Sequence, residues 1–335
     1  MNILTKNELR KTQVYEVYWR FAVERQNIFF NRLLRKKAPW TTDPVMGKYK
    51  FTNTYRVLDR VSQFLIAHII NPDRERCLSN EDGLFRILLY KVFNKIETWQ
   101  LLEDSIGELS WREYSFQEYD RVLSKAFQNG TSIYSAAYIM ASGKSTFAHE
   151  RKHQNHLKLL EHMMTGDVTR KVVSSRSMAQ LYQVLSSYPL IGPFLAYQYA
   201  TDINYSELTD FSEDEFVVAG PGARDGIGKC FFDKGRYSDE DIIRAMMENQ
   251  DTEFERLGLD FKSLFGRPLQ LIDCQNLFCE VGKYARVSHP QIKDKSGRVK
   301  IKQMYRYSGA LPTPSFPKKW GLAASLQTFL STQME

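Results

Sequence analysis

Apolar residues recur at helical spacing along most of this chain, and almost nowhere do they alternate as a strand would require. Over residues 7–36, Val14, Val17, Tyr18, Phe21, Ile28, Phe29 and Leu33 form one stripe, with Arg20, Arg25, Arg32, Arg35, Lys36 and Lys37 interleaved. A loop with Pro39, Trp40, Asp43, Pro44 and Gly47 follows. The segment FTNTYRVLDR (51–60) is expected to enter a helix reaching about Ile70, with Asn53 as its cap. On that helix Tyr55, Arg56, Asp59 and Arg60 share a face, either as a surface ion pair or as an arginine fork aimed at phosphate. Residues 80–102 read as one helix whose stripe is Phe85, Leu88, Leu89, Val92, Phe93, Ile96 and Trp99. Beside that stripe, Asn94 and Thr98 are expected to be core polar groups satisfied by neighbours. Shorter helices are expected at 116–127 and 131–141, and a longer one from Thr169 to Leu185.

Tyr188-Pro189-Leu190-Ile191-Gly192-Pro193 then breaks the pattern before a helical run from Phe194 to Thr201. Helix, glycine turn and helix is the outline of a helix–hairpin–helix, whose turn N–H groups can hold a DNA phosphate at Gly192. A second glycine-rich turn, Ala219-Gly220-Pro221-Gly222-Ala223, leads into Asp225-Gly226-Ile227-Gly228-Lys229. Gly220, Gly222 and Lys229 are further candidates for a DNA backbone contact. Four carboxylates, Asp202, Asp210, Asp214 and Asp225, stand between or beside these turns. Ser238 caps an expected helix over 239–249. The last strong helical pattern, residues 267–286, carries Asp273, Asn276, Glu280, Lys283 and Tyr284 at three- and four-residue spacing. Those five polar groups form either a solvent face or the wall of a polar pocket. The fold class expected from this reading is all-α. Its parts are an N-terminal helical lobe (1–180), a lobe with the two glycine turns and the polar helix (181–290), and a basic aromatic tail (291–335).

Charge adds a partner. The formal net charge is +7 and the isoelectric point is near 9.0, which favours a polyanion such as nucleic acid. The tail concentrates Lys293, Lys295, Arg298, Lys300, Lys302, Arg306, Lys318 and Lys319, with Tyr305, Tyr307, Phe316 and Trp320 between them. Such a strip can track a phosphate backbone and stack bases, with Lys300, Lys302 and Arg306 as the chosen contacts. The four cysteines, Cys77, Cys230, Cys274 and Cys279, form no CxxC pair, which removes a zinc knuckle or a disulfide framework. No apolar run approaches membrane-spanning length and the start is too polar for a signal peptide, so a soluble cytoplasmic protein is expected.

Two motif matches lose force on inspection. Gly143-Lys144-Ser145 has the tail of a phosphate-binding loop but lacks the upstream glycine and a preceding strand. His149-Glu150-Arg151-Lys152-His153 matches HExxH literally, yet its surroundings are basic and no clear third ligand follows. Neither a metal nor another cofactor is expected.

Five blocks, FTNTYRVLDR (51–60), FRILLYKVFNKIETW (85–99), DINYS (202–206), FVVAGPGARDGIGKCF (216–231) and DCQNLFCEVGKY (273–284), resemble the α-glutamyl/putrescinyl thymine pyrophosphorylase family. Its members are also described as carrying the 5-hydroxymethyluracil DNA kinase helical domain. The resemblance implies a fold related to helix–hairpin–helix DNA glycosylases and a double-stranded DNA substrate carrying modified bases. Three activities are consistent with it. The first expectation is a monofunctional glycosylase that excises a bulky hypermodified pyrimidine, such as glucosylated hydroxymethylcytosine, in antiphage defence. The alternative is a transferase joining an amino acid or polyamine to pyrophosphorylated 5-hydroxymethyluracil, and a third is a non-catalytic reader of modified DNA. A glycosylase lysine after the hairpin would fall near Phe194, and its aspartate near Val218–Gly220, where this chain has neither. The catalytic carboxylate is therefore sought, in order, at Asp202, Asp225 and Asp273. Tyr55, Arg56, Asp59, Arg60, Asn276, Glu280, Lys283 and Tyr284 are the expected substrate-binding groups.

Overall fold

The computed structural model describes residues 3–5, 9–71, 78–293 and 297–334. Cys77 and Lys295 lie outside them. Among the described residues the chain is all-α, apart from one two-stranded antiparallel pairing of Arg10–Lys11 with Phe231–Asp233. The contacts divide the chain into two compact units that are not colinear with the sequence. The first comprises Met1–Asp59, Glu213–Pro314 and Gly321–Glu335; the second comprises Arg60–Ser212 and Ser315–Trp320.

Three helices build the core of the first unit: the N-terminal helix (Gln13–Leu33), the glycine helix (Pro221–Cys230) and the carboxylate helix (Leu271–Ser288). Thr12 caps the N-terminal helix, its hydroxyl accepting the Val14 N–H at 3.1 Å. Tyr15, Tyr18, Trp19 and Phe21 on that helix are buried, and each such side chain removed from water contributes roughly 1.5–3 kcal/mol. Tyr18 packs on Phe278, ring centroids 4.7 Å apart, and its hydroxyl donates to the Cys274 carbonyl at 3.2 Å.

The glycine-rich block is not a loop. From Pro221 it is a helix laid directly against the carboxylate helix, and the glycines are what permit the approach. A Cβ on Gly226 would stand 1.9 Å from the Phe278 carbonyl oxygen, and one on Gly222 would stand 2.3 Å from the Cys279 sulfur. From the opposite side, a Cβ on Gly282 would meet the Gly226 Cα at 2.9 Å. Proline at the first helical position and close helix packing account for Pro221, Gly222 and Gly226 of GPGARDGIGK, whereas Gly228 meets nothing within 4 Å.

The second unit is organised on the helix Asn80–Phe93, where every residue from Leu84 to Phe93 is buried. Helices hydrophobic all round belong in a core. The expected single helix over 80–102 breaks at Asn94, which takes a left-handed φ of 49° and ends the first segment before Ile96–Ile106 begins. Asparagine tolerates that conformation, and its side-chain oxygen accepts from Lys91 at 2.7 Å. Thr98 donates to the Ile133 carbonyl at 2.8 Å, so both polar residues are satisfied core groups. Residues 131–141, expected as a helix, are irregular and are pinned instead by contacts such as Thr98 to Ile133 and His156 to Ala141. The run from Thr169 to Leu185 is two helices, Val168–Val173 and Met178–Ser186.

Met178–Ser186 and Pro193–Ile203 do form a helix, turn and helix. The left-handed residue of that turn is Leu190, φ 66°, whereas Gly192 caps the second helix with ordinary φ of −74°. The HExxH match does not place two imidazoles on one helical face, because His149 precedes the helix Lys152–Thr165. His153 is buried against Asp120 at 2.9 Å and Ser124 at 3.1 Å. No helix among the described residues is long and apolar enough to cross a membrane.

Candidate active site

The first unit joins two of the sequence blocks, 51–59 and 273–284, through carboxylates on the carboxylate helix that accept backbone N–H groups. Asp273 accepts the Arg56 N–H at 2.8 Å and, with its other oxygen, the Gln270 N–H at 3.0 Å. Glu280, one helical face further along, accepts the Thr52 N–H at 2.9 Å and the Lys283 ammonium at 2.6 Å. The bond to Arg56 satisfies a buried donor that an irregular segment would otherwise leave unpaired. The helix expected to reach about Ile70 begins only at Arg60, with Arg60–Phe64 running into a π-helical turn over Leu65–Ile70, and ahead of it only Arg56–Leu58 makes a 3₁₀ turn. Asn53 is not its cap but closes the loop on itself, donating to the Leu58 carbonyl at 2.7 Å while its own N–H donates to Asp59 at 2.8 Å.

Asp59 closes this loop as the acceptor of the Asn53 N–H. Burial pushes it up to about 7, against the Asn53 hydrogen bond and the Arg25 and Arg56 charges, while Glu280 pushes it further up. A half-buried carboxyl titrating near neutrality is suited to taking or giving a proton. Arg25 reaches the same region from the N-terminal helix. Its Nε donates to the Thr52 carbonyl at 2.9 Å, and its Nη1 has no hydrogen-bond partner among the described residues. Burial lowers Arg25 to about 10, which leaves it charged at neutral pH. Lys283 lies 4.7 Å over the Phe51 ring. Tyr284 donates to Asp43 at 2.5 Å, and Asn276 is half-buried on the same helix.

Other expected site residues lie elsewhere or are already engaged. Asp202, the first choice for catalysis, sits in the second unit as a buried ion pair with Lys91 at 2.8 Å, its side chain 1% exposed. A carboxylate so enclosed and paired is withdrawn from any base or sugar. Asp273 is burdened on both oxygens by backbone donors, and burial raises it to about 6. Asp225 is half-buried on the glycine helix. Tyr55 is buried with its hydroxyl committed to the Arg267 carbonyl at 2.7 Å and the Leu264 N–H at 3.1 Å, so it does not read a base. Arg56 is also buried, and Arg60 belongs to the second unit, paired with Glu97 at 3.2 Å on an exposed face. The expected arginine fork is therefore not formed within one unit.

Of the expected DNA contacts, Gly222 is consumed by helix packing, and Lys229 is buried with its ammonium donating to the Gly282 carbonyl at 3.1 Å. Neither is placed to meet a phosphate. Gly220 caps the glycine helix and Gly192 is exposed at its own helix start. Lys300, Lys302 and Arg306 are exposed on an extended strap, which is held by Lys50 N–H donating to Gln303 and Tyr305 N–H donating to Lys48, each at 3.0 Å. Arg25 was the residue that periodicity hid. Its only signal is a charge on the apolar side of the first helix, between Ala22 and Phe29.

A half-buried carboxyl raised toward neutrality, with the buried Arg25 and Arg56 acting on it, marks a candidate site in a basic helical protein. The family described as "5-hmdU DNA kinase, helical domain" matches residues 12–294, and the chain belongs to that family. A 5-hmdU DNA kinase of Bacillus phage SP10 is 29% identical over 289 residues, covering 81% of this chain and 45% of that protein. The chain thus spans about half the length of the curated relative it matches. No solved structure matches it.

Proposed function

We propose that this chain is a DNA base-hypermodification transferase, joining an amine, from an amino acid or polyamine, to pyrophosphorylated 5-hydroxymethyluracil in DNA. The observation that carries the reading is Asp59, held near neutrality beside Arg25 where the two family blocks meet. In the reaction the amine nitrogen forms a bond to the 5-methylene carbon as the carbon–oxygen bond breaks. The electron pair leaves with pyrophosphate, and the proton released from nitrogen passes to the Asp59 carboxylate. Arg25, with Nη1 unengaged, and Lys283 supply positive charge for the departing anion. The base must leave the helical stack to reach such a site.

The relative's name, a 5-hmdU DNA kinase, supports a phosphorylated 5-hydroxymethyl pyrimidine as the substrate class better than excision of a glucosylated cytosine. The enclosure of Asp202 and the double occupation of Asp273 also weaken the glycosylase expectation. Duplex DNA bearing pyrophosphorylated 5-hydroxymethyluracil, incubated with glutamate, glycine or putrescine, tests the proposal. Nucleoside mass spectrometry is expected to find an amine adduct together with stoichiometric pyrophosphate. Release of free base with abasic sites would return the glycosylase. Modified-DNA binding without turnover would favour a reader.

A further inference from the structure

In the first unit the strap over residues 300–307 runs antiparallel to the segment 48–52. Lys50 N–H donates to the Gln303 carbonyl and Tyr305 N–H to the Lys48 carbonyl, each at 3.0 Å, on either side of a bridge between Tyr49 and Met304. Successive side chains of an extended segment point to opposite faces. Lys300, Lys302, Met304 and Arg306 are all exposed, whereas Ile301 is buried and Tyr305 is half-buried with its hydroxyl shut away from water. The strap therefore turns its cations outward and Tyr305 inward. Arg25, only 9% exposed, is bonded to the same 48–52 segment through the Thr52 carbonyl, two residues past the Lys50 that holds the strap. Tyr305 is among the groups that act electrostatically on Arg25. Each of the two carries a buried polar atom with no hydrogen-bond partner among the described residues: Nη1 of Arg25 and the hydroxyl oxygen of Tyr305. A native fold seldom leaves one such atom buried and unpaired, and two in one neighbourhood need a shared partner.

We infer that Arg25 Nη1 and the Tyr305 hydroxyl together seat a phosphoryl oxyanion of the substrate. A guanidinium N–H and a phenol O–H both donate, and two buried donors in one place fit an acceptor that brings negative charge. The surrounding charge agrees. Arg32 acts on Arg25, Arg25 and Arg56 act on Asp59, and the Lys283 ammonium holds Glu280 at 2.6 Å. Four cations thus surround two carboxyls, and one of those, Asp59, is raised toward neutrality. The inference rests on the transferase reading for the identity of its ligand and deepens it. When the carbon–oxygen bond breaks, both electrons leave on the diphosphate, and these two donors hold it while Asp59 takes the amine proton. The strap's cations lie on its other face, which leaves backbone phosphates outside and the inward seat to the diphosphate.

The test is isothermal titration of the full chain with inorganic pyrophosphate, with neither amine nor DNA present. Tyr305→Phe keeps the ring and removes the hydroxyl. It is expected to weaken pyrophosphate about tenfold, the effect of one hydrogen bond to a charged group, without lowering the urea midpoint. Arg25→Lys keeps a charge and lacks Nη1, and is expected to weaken pyrophosphate at least as much. Fluorescence anisotropy with an unmodified duplex separates the two sources of a phosphoryl group. Duplex affinity unchanged by Tyr305→Phe assigns the seat to the diphosphate; a loss of about tenfold there, with pyrophosphate binding intact, keeps the seat and gives it to a backbone phosphate. Equal binding of pyrophosphate and of duplex by the parent and both variants would overturn the seat. So would a parent that binds no pyrophosphate, if Tyr305→Phe also leaves duplex affinity unchanged. If Tyr305→Phe loses pyrophosphate as expected but no amine adduct forms on pyrophosphorylated DNA, the seat stands and the transferase reading falls.

Discussion

Gly226 and Gly228 lie two residues apart in the same helix and should respond to alanine in opposite directions. At Gly226 the new Cβ would stand 1.9 Å from the Phe278 carbonyl oxygen and 2.5 Å from its carbon. An ordinary carbon–oxygen contact is about 3.3 Å, so the two helices would have to part by roughly 1.4 Å. The obstacle is backbone in the middle of the carboxylate helix and cannot rotate aside. Overpacking of this kind costs typically 1–3 kcal/mol, and a backbone clash lies at the upper end. Against this, alanine gains about 1 kcal/mol of helix propensity over glycine. The net expectation for Gly226→Ala is a loss of about 2 kcal/mol, or a fall in Tm on the order of 3 °C. Gly228 has nothing within 4 Å of its would-be Cβ, so there only the propensity gain remains, up to about 1 kcal/mol of stabilisation. Urea titration followed by circular dichroism measures both. If Gly226→Ala is as stable as the parent, or if both variants shift alike, the close packing of the GPGARDGIGK helix is refuted.

Below about pH 7, transfer by the parent chain should fall by a further tenfold per pH unit beyond the fall from amine protonation alone, because Asp59 acts as its carboxylate and burial raises its pKa to about 7. Asp59→Asn should remove that limb along with the activity, as read from initial rates between pH 5 and 9. Lys91→Met takes from the buried Asp202 carboxylate its ion-pair lysine, a loss of about 3–5 kcal/mol. The double variant Lys91→Met with Asp202→Leu should recover most of that stability in the same urea titration, as expected of a structural pair. Alanine at Lys300, Lys302 and Arg306 together should reduce the salt slope of DNA affinity by up to about 2.7, since each phosphate contact contributes roughly 0.9. A slope unchanged over a potassium chloride series would exclude the strap from the DNA interface.

The helical character was legible because it rests on periodicity, and so were the caps at Ser238 and the satisfied core roles of Asn94 and Thr98. Boundaries were harder to read where a single residue decides them, as Asn94 does by adopting φ 49°. The glycine block misled for a physical reason. A glycine that allows another backbone to come close looks in sequence like one that frees a loop, and only the facing carbonyl of Phe278 tells them apart. Carboxylates misled in the same way. Asp202 and Asp273 stand in well-patterned blocks, but one faces a lysine and the other two backbone N–H groups, and partners 111 and 217 residues away leave no trace in local spacing. The polar face with Glu280, Lys283 and Tyr284 was visible as a register. Its joining to the 51–59 loop, and the arrival of Arg25 there, depended on tertiary packing.

The most direct test of the transferase account is single-turnover incubation of the parent chain and Asp59→Asn with pyrophosphorylated 5-hydroxymethyluracil DNA and each amine. Products would be followed as nucleoside mass and free pyrophosphate. The account predicts one amine adduct per pyrophosphate released by the parent chain, no abasic sites, and neither product from the variant. Abasic sites without adduct, or an Asp59→Asn variant that transfers as fast as the parent, would contradict it.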